Sequence, residues 1–553
     1  MRRLAFCLAL LLLLALPASL VLAQDGDTIV IRGFGNIVTF NPAFTNDGAS
    51  YQASNLIWPS PVKVDSFTGE TIPGLTTWTV SDDGLTYTFT IQEGAMWSDG
   101  TPISSADMKF VIDATMSDVE TVWESNAALI DSVNLIDDRT YEVVLSAVSC
   151  TALSDFGAFR FLPSHRFAAD FSDFETSDFN MNPDVSGGPY ILEEWAPDEF
   201  QRFRANPTYW GGEVPIPFLI NRVIGEQSVA VQAIQAGEID YTYFQGDLFA
   251  QILDTSSLQY QAFPQLTVNF LSMNWADPTN PQAAYDDAGN LIEQAPHPIF
   301  SDVAVRRAVA MGYNKGDILE TLGGAEGGTP LIGTVAPSIT WAYNSEIEPY
   351  PFDPVAAAAL LDEAGWTINE ATGIREKDGV PLAFTITYSD ILLLFETTAL
   401  VAQDQLSQLG MDVTLNKVEW ANYIQDVYLG QMYDATPMSN SGGTTPPDPN
   451  DFMSLVNSAE DVPGSGNNLA SYVNPEVDRL ILEGRTTPGC APADRATSYY
   501  QIQQILHDDV AYDFTFTPNI FQVMNARVNG FNPGPSWVFY GYTDHVAEWS
   551  IGD

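Results

Sequence analysis

The sequence predicts an α/β protein built as at least two bodies, and three observations carry this. At 553 residues the chain exceeds the ~250–300 residues at which a single core stops growing. Strand-like alternation and helix-like periodicity interleave along it, which predicts mixed sheets flanked by helices. Residues 265–275, QLTVNFLSMNW, alternate Leu266, Val268 and Phe270 with Thr267 and Asn269, the period of a strand. At ~3.3 Å per residue this stretch runs on the order of 35 Å, enough to leave one body and enter another. The competing reading is an ordinary strand within one large domain.

The elements follow in order. Residues 27–32 read as a short strand, 40–42 close an extended piece, and 55–64 (NLIWPSPVKV) continue it. Residues 84–91 (GLTYTFTI) form a strand by alternation and β-propensity. WSDGTP at 97–102 is a tight turn, and Ser104 with Asp107 makes a capping-box pattern for a helix over 105–116. Residues 140–146 are a strand, and 170–184 are acidic and loop-like. ILEEW and FQRFRA form a hairpin after Gly187-Gly188-Pro189-Tyr190. A helix over 229–236 stops at Gly237, and the strand IDYTYF follows.

Past the long strand, 277–297 read as an insertion. A helix over 301–311 starts at Ser301 and carries Val303, Val305, Ala308 and Val309 as its apolar stripe. Asp353 and Pro354 are N-cap and first turn of a helix through Ala364, with Gly365 after it. A turn at 373–379 leads into the strand PLAFTITYS. A helix over 397–409 and a strand over 411–415 follow. Residues 439–450 (SNSGGTTPPDPN) read as a flexible loop, 475–484 and 492–507 as helices, and 512–517 as a second long-range strand.

Composition narrows the function. Hydrophobic content of 45% is ordinary for a globular protein. Lys and Arg number 21 against 71 Asp and Glu, a net charge of −50. Such a surface repels nucleic acid and acidic lipid, so neither is expected as a partner. At the start, Arg2 and Arg3 precede an apolar run over 4–21 and Val21-Leu22-Ala23. This reads as an export signal cut after Ala23, with an uncleaved membrane anchor as the alternative. Cys7 lies inside that run and is not placed for lipid attachment. In an oxidising compartment the remaining pair, Cys150 and Cys490, is expected to form one disulfide.

Catalytic chemistry finds little support. His165, His297, His507 and His545 are scattered and make no metal spacing. No G-x-S-x-G, HExxH or phosphate-binding loop occurs. Carboxylates are too abundant for any pair to indicate glycoside hydrolysis. Aromatics in loops do stand out: Trp58, Trp97, Tyr190, Trp210, Trp341, Trp420 and Trp537. Most are packing residues by expectation, and some line a cleft.

Several blocks share one likeness. GLTYTFTIQEGAMWSDGTPISSADMKF, GGPYILEEW with FRANPTYWGG, AIQAGEIDYT, PIFSDVAVRRAVAMGYNKGDIL and FDPVAAAALLDEAGWTINEATGIREKDG resemble the extracytoplasmic solute-binding proteins of peptide-type ABC importers, solute-binding family 5. The resemblance implies a type II clamshell with an accessory domain. Residues 1–23 would be the signal, and 24–58, 185–274 and 514–553 the first lobe. Residues 59–184 would be its accessory domain and 275–513 the second lobe. It implies hinge strands at 267–274 and 512–517, a monomer acting at the outer face of the cytoplasmic membrane, a permease partner, no cofactor, no metal and no enzymatic activity.

The resemblance also implies a ligand site. Thr45, Asn46, Asp47 and Gly48 match a first-lobe segment beside the ligand. Trp420 matches a ligand-facing tryptophan, and Phe270 and Phe516 lie on the hinge strands at the cleft floor. Trp58 joins them as a stacking candidate. In oligopeptide binders a second-lobe loop supplies an Asp for the ligand's amino group. The matching loop here, with Ser441, Gly442, Gly443, Thr444 and Thr445, is uncharged until Asp448. The expected solute is therefore an oligopeptide, or alternatively an oligosaccharide or other neutral solute. An exported hydrolase or structural surface protein is the reading from another class.

Overall fold

A computed structural model describes residues 27–552, apart from Asn46, Ala250, Leu253, Asp287, Leu322 and residues 390–392, 443–446 and 536–540. The N-terminal run read as an export signal lies outside these residues, as does Trp537.

The first sheet is built on Thr28–Gly33, which runs parallel to Phe218–Val223 in a register from Thr28 opposite Phe218 to Gly33 opposite Val223. Phe200–Ala205 and Tyr190–Ala196 extend one edge as a hairpin. Tyr241–Gln245, Phe516–Asn525 and Leu258–Pro264 extend the other. Ile29, Val30 and Ile31 are at most 2% exposed, as a strand covered on both faces requires. Phe218–Val223 and Leu258–Pro264 were not expected from the sequence. Phe218–Val223 gives no clear alternation, whereas Leu258–Pro264 opens with the alternating LQYQA, and both are paired along their length with neighbouring strands.

Residues 55–57, expected as extended, instead close a helix over Gly48–Ile57. The Asp47 carboxylate caps it by accepting from the Ala49 and Ser50 N–H groups. Ser50, Gln52 and Ser54 are on its buried positions, which dilutes the apolar stripe that would mark a helix.

A four-stranded antiparallel sheet, Thr76–Val80, Thr86–Ile91, Thr140–Leu145 and Ile130–Leu135, forms a smaller body. It shares one apolar core with the first sheet, since Ile31, Trp58 and Trp97 belong to the same cluster as Phe89 and Tyr141. The expected capping box is present before the helix Ser105–Thr115. Buried Asp107 accepts from Ser104 N–H at 2.8 Å, Trp97 Nε1 at 3.2 Å and the Ser164 hydroxyl at 2.6 Å.

The second sheet has the order Asp412–Lys417, Ala383–Tyr388, Ala435–Ser441, Thr267–Met273, Asp513–Phe514. Ala435–Ser441 runs three residues into the stretch expected as a loop. It pairs with the long strand from Ser441 opposite Thr267 to Ala435 opposite Met273. Its composition, ATPMSNS, is poor in strand formers, so the pairing comes from the partner. Helices cover this sheet. Pro354–Glu363 is capped by Asp353, and Gly365 beyond it takes φ +88°, a left-handed position open to glycine. Val303–Gly312 starts from Asp302, one residue later than the expected Ser301 cap. Pro475–Thr486 and Pro492–Asp509 pack together.

The chain passes directly between the two large sheets at two adjacent places, and Gly328–Pro330, which lies in sequence between two strands of the second sheet, pairs with Phe516–Pro518 of the first. Leu258–Pro264 lies in the first and Thr267–Met273 in the second; Asp513–Phe514 lies in the second and Phe516–Asn525 in the first. The passages are laced together. Gln265 N–H donates to Pro518 O and Thr515 N–H to Asn269 O, both at 2.9 Å. Asn269 Nδ2 donates to Phe516 O at 2.9 Å and the Thr517 hydroxyl to Gln265 O at 3.0 Å. Strand passages of this kind can absorb a lobe rotation in a few backbone dihedrals.

Candidate functional site

Thr45 and Asp47 are committed to local structure. The Thr45 hydroxyl donates to the Asp47 carboxylate, which also caps the Gly48 helix. Burial raises the Asp47 carboxyl, but hydrogen bonds from Ser50, Thr45 and Ala49 outweigh it and hold the group below the usual range. Asn46 lies outside the described residues, as do Gly443, Thr444 and Thr445.

Three aromatic candidates fill cores in this conformation. Trp58 is 3% exposed, packs between Trp97 and Phe179, and donates its ring N–H to Phe40 O at 2.6 Å. Phe270 is packed against Tyr512 and Phe514. Phe516 is fully buried in the core under the second sheet. Their side chains offer no open face: Trp58 is buried at the end of the Gly48–Ile57 helix, and Phe270 and Phe516 are buried on strands of the two large sheets.

Trp420 behaves differently. It is 39% exposed and starts a short helix, Trp420–Tyr423, that continues as a π-helical turn over Ile424–Leu429. Such turns concentrate at functional sites. Trp420 stacks on Tyr423 with ring centres 5.5 Å apart and planes 17° apart, and Tyr428 meets it edge-on at 6.4 Å. The Tyr423 hydroxyl donates to Pro437 O at 2.7 Å, which anchors this platform to Ala435–Ser441. Ser441 ends that strand with its hydroxyl 3.0 Å from that of Thr267. Gly442 N–H donates to Leu266 O at 2.8 Å. A Cβ at Gly442 would lie 2.8 Å from the Phe452 ring, so the loop's departure requires glycine there.

Asp448 corrects one expectation. It is 6% exposed, and both its oxygens are taken by Arg495, at 2.8 and 2.9 Å. A carboxylate engaged in a buried bidentate pair is not free to receive a ligand's amine. Arg495, not singled out in the sequence, also donates to Gly484 O and the Tyr499 hydroxyl and lies 5.1 Å from the Trp341 ring centre. The available signal was its being one of only 21 cations in the chain.

Beside this pair lies a cavity of about 850 Å³ between the small four-stranded body and the second lobe. Trp78, Tyr87 and Leu153 line it from one side, and Trp341, Asp448 and Arg495 from the other. The volume is that of a small-solute pocket. Cys150 and Cys490 are joined in its wall, with Cα atoms 5.1 Å apart. Among the described residues no His, Cys, Asp and Glu group could hold a metal ion, and no helix is long and apolar enough to cross a membrane.

Asp155 adds a titratable group to this contact. It accepts from the Thr151 hydroxyl at 3.1 Å and Asn126 Nδ2 at 3.3 Å. Burial pushes its carboxyl up to about 6; these hydrogen bonds oppose the shift, the Asp448 charge adds to it and Arg485 offsets it. A carboxyl raised in the folded chain above its unfolded value near 4 contributes stability that is present below that value and lost as pH rises through about 6. Asp155→Asn is therefore expected to stabilise the protein at pH 7.5 by on the order of 1–2 kcal/mol and to lose that advantage by pH 4. Denaturation midpoints of both proteins across this range check it, and a difference constant with pH would refute the assignment.

Comparison with known proteins agrees with this architecture. The chain is 23% identical over 545 residues to the oligopeptide-binding protein AppA of Bacillus subtilis, covering 95% of this chain and 92% of that protein. HbpA2 from Haemophilus parasuis superposes with a TM-score of 0.78 at 21% identity, covering 95% of this chain and all of that one. The murein tripeptide-binding protein MppA, in an unliganded open form, gives 0.75 at 20% identity, with 95% and 98% covered. The fold is thus the two-lobed type II clamshell with an accessory domain. Residues 70–463 match the bacterial extracellular solute-binding proteins, family 5, and the chain belongs to that family.

Proposed function

We propose that this protein is the receptor of an ABC importer, capturing a peptide-like solute between its lobes and delivering it to a membrane permease. The paired strand passages between the two large sheets carry this reading, because they make a hinge about which the lobes close on solute. The open form needs to be only slightly favoured, so that contacts from both lobes shift the population to closed. The oligopeptide-binding function named for AppA supports a peptide. In this reading the signal is removed after Ala23 and the mature protein works as an exported monomer. The first lobe ends at the passage after Pro264, about ten residues before the boundary expected after Asn274, because Thr267–Met273 is a strand of the second sheet. Solute meets Trp420, the strand end at Ser441 and the loop through Thr445.

Native mass spectrometry of residues 24–553, purified from an exporting host, tests this. Mixed adducts that fragment into amino acids are expected. An empty protein that takes up defined saccharides and no peptides would establish a second reading, an oligosaccharide receptor. That reading draws on the neutralised Asp448 and the Trp420–Tyr423 platform, which suits sugar stacking.

Trp420→Ala is expected to weaken the bound solute by ~1–3 kcal/mol through lost stacking and apolar burial. Calorimetry with the solute recovered from the adducts measures this, and unchanged affinity would make Trp420 a surface packing residue.

A further inference from the structure

The disulfide joins two parts of the molecule that the hinge would otherwise let separate. Cys150 precedes the helix Ala152–Ala158, whose Ala152 and Phe156 belong to the core shared by the first sheet and the small body. Cys490 lies between Pro475–Thr486 and Pro492–Asp509, whose Leu480 and Tyr499 belong to a core of the second lobe. The bond therefore spans 340 residues and crosses from one lobe to the other.

The contact is shaped for it. Cys490 takes φ +52°, a left-handed conformation uncommon outside glycine, after Gly489 at +79°. Its N–H donates to Thr487 O at 3.0 Å, closing a tight turn. Across the junction, Cys150 N–H donates to Arg485 O at 2.8 Å. Both cysteines are half-buried, and the preceding Pro488 and Gly489 are exposed, so a small thiol can approach the bond.

We infer that the Cys150–Cys490 disulfide is a redox latch on the clamshell. Disulfide geometry tolerates Cα separations to about 6.8 Å. From 5.1 Å the lobes can part at this point by less than about 2 Å before the bond must break. With the strand passages and the bond both holding the two lobes together, opening is confined to motion about the line joining them. The oxidised receptor then stays near the conformation in which the bond is made, and its solute exchanges slowly. Reduction by an external dithiol releases the latch: two electrons and two protons pass to the bond, it becomes two thiols, and the dithiol becomes a disulfide. The part concerning solute rests on the receptor reading; the restriction on lobe opening does not.

The test compares wild type before and after tris(2-carboxyethyl)phosphine with Cys150→Ser/Cys490→Ser. Small-angle X-ray scattering should show a larger radius of gyration for reduced wild type than for oxidised, and the double variant should match the reduced form with or without reductant. Native mass spectrometry should show co-purified adducts leaving reduced wild type at least about tenfold faster. Superimposable scattering from oxidised and reduced wild type would overturn the latch, as would two free thiols in denatured, unreduced protein. If the protein carries no adducts, the receptor reading is in question while scattering still decides the latch, and a scattering change with unchanged adduct release would overturn its role in exchange.

Discussion

Replacing Arg495 with alanine is expected to destabilise the second lobe by about 3–5 kcal/mol, because it leaves the Asp448 carboxylate buried with its counter-charge gone. Arg495 and Asp448 side chains are only 4% and 8% exposed, so solvent cannot replace the lost partner. The same guanidinium satisfies Gly484 O and the Tyr499 hydroxyl, which ties the helices Pro475–Thr486 and Pro492–Asp509 to the segment entering the Asp448 turn. Arg495→Lys keeps a charge but not the planar fork, and an intermediate loss of about 1.5–3 kcal/mol is expected. Urea titration checks both. A loss below about 1 kcal/mol for alanine would mean that water reaches Asp448 and that the pair is a surface feature. Since the two residues also line the cavity beside the disulfide, Arg495→Ala should shift the pH response of Asp155 as well.

Much of the frame was legible because local signals and tertiary packing agree. The alternation in 84–91, the capping pattern at Ser104 and Asp107, and the Asp353-Pro354 start each name an element from a few residues, and each stands where expected. The strand expected over 265–275 stands at Thr267–Met273, but it lies wholly in the second sheet, with the crossing just before it, and Thr267 and Asn269 are buried as well as Val268 and Phe270. What escaped was structure imposed from outside the segment. Ala435–Ser441 is a strand because Thr267–Met273 lies beside it, and Gly48–Ile57 is a helix although its buried positions include Ser and Gln. At the site, loop position and aromatic character singled out Trp58 and Trp420 alike. Only burial separates them, at 3% against 39% exposed. The capture of Asp448 by Arg495, 47 residues away, follows from the packing of two helices and leaves no trace in local pattern. The Cys150–Cys490 pairing was expected from compartment chemistry, but its crossing from lobe to lobe depends on which core each flanking helix joins.

Lys315→Met is expected to cost about 3–5 kcal/mol and to loosen the strand passage, for a reason set by position. Lys315 Nζ contacts Asp513 Oδ1 at 2.6 Å, and the Tyr313 hydroxyl donates to Asp513 Oδ2 at the same distance. Asp513 is 2% exposed and pairs with Leu271 of the long strand, two residues before Thr515 makes its bond across the passage. Burial, and then the Asp513 charge, hold the Tyr313 phenol well above its usual range, so it remains a neutral donor and cannot supply the missing positive charge. Removing Lys315 thus leaves an anion in the interior next to the segment that must bend. Lys315→Met/Asp513→Asn removes both charges while Asn keeps an acceptor for Tyr313, and it should recover most of the loss, with a coupling of about 1–3 kcal/mol in the double-mutant cycle. Amide hydrogen exchange over residues 513–517 should be about tenfold faster in Lys315→Met and return toward wild type in the double variant. If exchange there is unchanged while stability falls, the ion pair supports the second lobe without restraining the hinge. If both change together, the hinge's stiffness is set by a buried charge pair at its root, and the balance between open and closed forms is adjustable from that one position.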